Sequence, residues 1–159
     1  MKSSIDHEKI FFNYFLTKPH YLKGTGDGFF SNRDLDHIAK LSKQFYLKFG
    51  ESPSKDQMKA LIADDPNEIS TDIVTSIYDI NINEYDQDWL KRTGEAWVKW
   101  KHFDKQLIRT IEYVKTQDVS PENVEDVVNR AIGMISTDGS INFDTDVGLD
   151  FFNPESHVQ

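Results

Sequence analysis

Five histidines, a glycine-rich loop and a lysine-studded run of aromatics are the residues of this 159-residue chain that could do chemistry. His7, His20, His37, His102 and His157 show no metal-ligand spacing among themselves. Cysteine is absent, which rules out a thiolate metal site and a disulfide framework. Gly24-Thr-Gly26-Asp-Gly28 has the glycine content of a phosphate-cradling loop. Phe29, however, stands where a dinucleotide fingerprint needs its third glycine, and no Gly-Lys-Ser/Thr follows. The segment therefore reads as a turn entering the next helix. Asp144-Thr-Asp146-Val-Gly148-Leu-Asp150, with Glu155 at the twelfth place, has the outline of a calcium loop, but Leu149 occupies the position that requires glycine. No Gly-x-Ser-x-Gly elbow or other nucleophile–base pattern occurs. The expectation is a chain with no catalytic, cofactor-binding or metal-binding residue, and so not an enzyme.

Trp97, Trp100 and Phe103, interleaved with Lys99, Lys101 and Lys105, are the residue types of a base-stacking platform. Helical spacing argues otherwise, because Trp100 and Phe103 fall on the same stripe as the aliphatics around them. A core or an interface is the better reading of these rings.

Charge narrows the partners. The net charge is −9, and it is unevenly placed: residues 86–115 carry 7 Lys/Arg against 5 Asp/Glu, whereas residues 116–159 carry one base, Arg130, against 9 acids. An acidic tail repels phosphate backbones, so direct duplex DNA binding is not expected. Apolar residues make up 38% of the chain and aromatics 13%, which is too rich for intrinsic disorder. No signal-like amino terminus and no apolar run approaching about 20 residues is present, so neither secretion nor a membrane span is expected.

The elements that must position these residues are all helical. A first helix over 5–16 carries Ile10, Phe11, Tyr14 and Phe15 as a stripe. Ser31-Asn-Arg-Asp34 has the form of a capping box opening a second helix, whose Leu35, Ile38, Leu41, Phe45 and Phe49 precede a stop at Gly50. Ser54-Lys-Asp-Gln57 repeats the device before Met58, Leu61 and Ile62, and a fourth helix spans about 70–79. The long run from Asp86 to Lys115 places Trp89, Thr93, Ala96, Trp100, Phe103, Leu107, Ile111 and Val114 in one stripe, widened by Leu90, Trp97 and Ile108. A turn at 117–120 leads to Pro121 at the first position of a sixth helix carrying Val124, Val127, Val128, Ala131, Ile132 and Ile135. So short a connection forces antiparallel packing. Residues 141–159 read as an extended tail.

Several local patterns resemble the amino-terminal domain of DnaB-type replicative helicases, in particular their T-even-like phage branch. They are Gly28-Phe-Phe30-Ser31 before a capped helix, Phe49-Gly-Glu-Ser-Pro53-Ser54 followed by Met58 and Leu61, Asp88-Trp89-Leu90 opening the long helix, and Phe143-Asp144-Thr-Asp-Val-Gly148-Leu-Asp150 at the exit to a linker. The resemblance implies a helical head over 1–98, a helical hairpin over 99–136 and a linker over 137–159 leading to a motor domain that these residues do not include. It further implies a non-catalytic collar that pairs with other copies through its hairpin and docks primase or a helicase loader, in the cytoplasm of a phage-infected bacterium. Phe103, Leu107, Ile111, Val114, Val124, Val128 and Ala131 are the residues it assigns to self-association. The alternative is a free-standing helicase loader or inhibitor of related helical fold.

Overall fold

The computed structural model describes residues 4–136. Among them are six α-helices and two short 3-10 segments, with no strand: α1 (Ile5–Thr17), α2 (Arg33–Phe49), α3 (Lys55–Ala63), α4 (Thr71–Tyr78), α5 (Gln87–Thr116) and α6 (Val124–Ser136). The all-α expectation is met. The tail over 137–159, with the calcium-like segment and His157, lies outside the described residues.

The first helix is the axis of the head. Phe11, Phe12, Asn13, Tyr14 and Phe15 are all buried, so α1 is covered on every side rather than along one stripe. Its two buried polar residues, Asn13 and Glu8, each have partners. Asn13 Nδ2 donates to the carbonyls of Ile77 (2.9 Å) and Ile80 (3.3 Å), satisfying acceptors at the end of α4. Glu8, with no exposed surface, accepts from the Ser31 amide (2.8 Å) and from Ser31 Oγ (2.6 Å).

That last contact corrects the first capping box. Ser31 is committed to Glu8, and Asn32 caps α2 instead, its side chain accepting from the Leu35 amide at 2.9 Å. The second box forms as expected, with reciprocal bonds between Ser54 and Gln57. Gly50 ends α2 at φ 78°, a left-handed conformation that glycine adopts without a Cβ clash. Phe45 and Phe49 do not continue the core face of α2. Leu35, Ile38, Ala39 and Ser42 are buried, while Phe49 is exposed and lies tilted against Phe45 at 4.6 Å between centroids.

Aromatic rings fill the centre. Trp97 of α5 is surrounded by Phe29 (4.6 Å between centroids), Phe30 (5.5 Å), Phe11 (5.8 Å) and Phe15 (6.4 Å). Burying rings of this size contributes about 1.5–3 kcal/mol each. Gly94, one turn earlier, brings α1 close: a Cβ there would meet Phe15 Cε1 at 3.3 Å.

Val98 is the last residue of α5 in this core. Beyond it the helix packs against α6, which returns after a turn over residues 117–123. Thr110 and Val127 are buried on the facing sides, and the Arg130 guanidinium lies over the Tyr113 ring at 5.2 Å. The sixth helix opens later than its proline suggested. Asn123 Oδ1 accepts from the Ser120 amide (2.7 Å) and its Nδ2 donates to the Asp118 carbonyl (2.9 Å), holding residues 121–123 as a turn before Val124. Among the described residues no helix is long and apolar enough to cross a membrane.

Candidate interaction site on the helical hairpin

Three neighbours, the head, the glycine loop and α6, cover α5, and one side of the helix is left over. At 100° per residue, Leu90, Gly94, Trp97 and Val98 form the side turned to the head, and all four are buried. In the carboxy-terminal half, Gln106, Thr110 and Tyr113 form the side turned to α6; Thr110 is buried and the other two half-buried. Beyond Val98, Lys101, Lys105 and Arg109 continue much the same side of the helix as the head-facing residues and face the glycine loop. The remaining side carries Trp100, Phe103, Leu107, Ile111 and Val114 within a sector of about 80°.

The last side is open to solvent. Phe103 is 43% exposed and Ile111 45% exposed, values expected of lysines rather than of large apolar side chains. The same holds on α6, where Val124, Val128, Ile132 and Ile135 recur at four, four and three residues; Val128 is 49% and Ile132 59% exposed. On each helix the open stripe sits about a quarter-turn past the buried seam in the right-handed sense. In an antiparallel pair, equal offsets of this kind fall on the same side. The two stripes therefore form one apolar face spanning both helices of the hairpin.

Of the seven residues assigned to self-association from the sequence, Phe103, Ile111, Val114, Val124 and Val128 lie on this face and are exposed. Leu107, within the same stripe of α5, and Ala131 of α6 are half-buried. Trp100, Ile132 and Ile135 complete the face. Their helical spacing was visible in the sequence, but spacing alone does not separate a covered side from an open one. Trp97 and Trp100, three residues apart, end in opposite environments.

The histidines of the head are accounted for by packing. His7 lies 4.8 Å from the Phe11 ring and His20 4.5 Å from the Tyr21 ring, centroid to centroid. His37 Nε2 is 2.8 Å from Asp65 Oδ2, and His102 Nε2 is 2.6 Å from the Gly24 carbonyl oxygen. Among the described residues no three His, Cys, Asp or Glu side chains converge where a metal could sit. Asp65 is held down at about 2 by its hydrogen bond from His37, then by those from the Asn67 amide and side chain.

No family model, curated protein or solved structure matches this chain. The hairpin face, the basic side of α5 and the glycine loop opposite it are thus read on their geometry alone. The basic side was missed in the sequence because the lysines were considered with the neighbouring aromatics. The spacing of 101, 105 and 109 was the available signal.

Proposed function

We propose that this chain is an assembly module, the non-catalytic amino-terminal collar domain of a phage replicative helicase of the DnaB type, working in the bacterial cytoplasm. The observation that carries the reading is the continuous apolar face spanning α5 and α6. Eight exposed apolar side chains on one side of a two-helix layer far exceed the scattered exposure normal for a monomer, and contiguous faces of this kind mark interfaces. A second copy is the simplest occupant. Two such faces pressed together would build a four-helix layer, burying Phe103, Ile111 and Val128 against their equivalents. The mechanism is geometric: paired hairpins set the spacing of subunits around a ring, and each head offers a surface on which primase or a loader docks.

The mass of the full 159-residue chain in solution tests the hairpin. Ile111→Asp and Val128→Asp place a charge on the face at exposed positions, leaving the fold intact by circular dichroism. The proposal expects an oligomer for the parent chain and single chains for both variants. A mass that the two substitutions leave unchanged would remove the face as the self-association surface. The helicase reading is tested separately by the gene downstream of Gln159. An in-frame Gly-Lys-Ser/Thr motor domain supports it, and its absence transfers the fold to a free-standing helicase-binding role.

A further inference from the structure

We infer that the cleft between the glycine loop and α5 is a binding site for phosphoryl groups. The cleft encloses about 350 Å³, the scale of a small-molecule site. One wall is the loop over residues 24–28. The other is formed by Lys101, Lys105 and Arg109, each one turn beyond the last, rising about 6 Å per step along one side of α5.

Nothing among the described residues pairs with these cations: Lys101, Lys105 and Arg109 make no ion pair there. Asp27 and Asp104 line the cleft as well, so three cations stand against two carboxylates in a chain whose net charge is −9. On the far side of the loop, Lys43 Nζ donates to the Thr25 carbonyl at 3.0 Å. Burial lowers the pKa of Lys43, and the like charge of Lys105 adds to that shift, against a pull upward from Asp27. Cations thus bracket the loop from both sides and outnumber the carboxylates, Asp27 and Asp104, that line the cleft.

The loop is built to let an anion approach. Its later amides are occupied: those of Gly28 and Phe30 donate to the Asp36 carboxylate at 2.9 and 3.1 Å. The amides of Gly26 and Asp27 donate to no acceptor among the described residues. A Cβ at Gly26 would lie 2.9 Å from Lys105 Nζ, so the absent side chain is what allows that ammonium to rest against the loop. Bare amides beside flexible point charges suit a compact anion with several oxygens. A glycine wall, by contrast, offers no side-chain pockets to fix the register of an acidic peptide. Phosphoryl oxygens could come from a free polyphosphate or from the backbone of a single-stranded nucleic acid.

The test is an NMR titration of the ¹⁵N-labelled 159-residue chain with sodium tripolyphosphate and, separately, with an oligodeoxythymidylate. Saturable shifts at the Gly26, Asp27 and Gly28 amides are expected. Lys105→Gln and Arg109→Gln should each weaken the response about tenfold, the scale of one charge-assisted contact. Gly26→Ala keeps every charge but displaces the Lys105 ammonium, and should weaken binding in a folded chain. Saturation by tripolyphosphate assigns the site to free phosphates, and saturation by the oligonucleotide alone assigns it to a strand. Lack of saturation with either probe, or shifts that survive both Lys105→Gln and Arg109→Gln, overturns the inference.

Discussion

His102 and Gly24 are joined across 78 positions of the chain by a hydrogen bond of 2.6 Å between the imidazole Nε2 and the glycine carbonyl oxygen. A carbonyl can only accept, so Nε2 carries the proton. The bond fastens the start of the glycine loop to α5 just beyond the last core residue, and so sets the width of the cleft between them.

Removing it should loosen the loop more than the fold. His102→Ala is expected to cost about 1 kcal/mol, the net worth of one hydrogen bond. Hydrogen exchange should accelerate at residues 24–30 and stay unchanged in α3 and α4. Uniform acceleration across the head would show that the bond holds the core rather than the loop.

Trp97 gives a contrast within one position. Its indole Nε1 is buried and has no hydrogen-bond partner among the described residues, so the ring contributes through packing. Trp97→Ala should cost about 3–5 kcal/mol, as expected for deleting a buried ring. Trp97→Phe keeps an aromatic in the cage and gives up no hydrogen bond, so it should cost less than half as much. Denaturant unfolding of the two variants decides the point, and equal losses would mean that the indole nitrogen matters.

Two serines with similar sequence surroundings should respond differently. Ser54→Ala removes an exposed cap, at about 1 kcal/mol. Ser31→Ala removes a hydroxyl that donates to the fully buried Glu8 carboxylate, a charge-assisted bond, which raises the cost to about 1.5–3 kcal/mol. Matched thermal melts are the measurement, and the reverse ranking would contradict the role given to Glu8.

Acid should act through Asp65. Its carboxyl is depressed from 3.8 to about 2 in the folded chain, first by the His37 hydrogen bond. The folded state therefore binds this proton less readily than the unfolded one. The resulting stability is fully present above 3.8 and is lost as pH falls through about 2. Asp65→Asn should flatten the dependence of unfolding free energy on pH within that window, and an unchanged slope would assign it to other carboxyls.

Adjacent valines on α6 separate folding from assembly. Val127 is buried in the seam, whereas Val128 is open on the apolar face. Val127→Ala should destabilise the hairpin by about 1–2 kcal/mol. Val128→Ala should leave the melting curve of dilute protein in place and weaken only self-association, read by sedimentation.

Helix order, the Ser54 box, the Gly50 stop and the opening of α5 at Asp86 were legible in the sequence because each is a local device, made within one turn of chain. The misreadings concern contacts made at a distance. Ser31 has the form of a cap, yet its hydroxyl goes to a carboxylate 23 positions earlier, and no local pattern announces that. In α1, five consecutive buried residues erase the periodicity that marks a one-sided helix. In α5 the apolar stripe was found, but its centre is the open face, while Leu90 and Trp97, read as its margin, fill the core. Periodicity counts apolar residues without telling which neighbour covers them. The basic side of the same helix went unread despite its four-residue spacing, because only the glycine loop opposite gives that spacing a meaning.

The same 30-residue helix holds the head at one end and the hairpin at the other, with no proline between Gln87 and Thr116. At 1.5 Å per residue it is a strut of about 45 Å. Such a strut has no hinge at the border between its two tasks, so the head cannot reorient independently of the hairpin. A change in hairpin packing that tilts the helix by about 10° would carry its far end through about 8 Å, a displacement on the scale of a side chain. Under the pairing proposed above, whatever rests on the head would thereby be geared to the seating of the hairpin, with the chain as a lever whose fulcrum is its own apolar face.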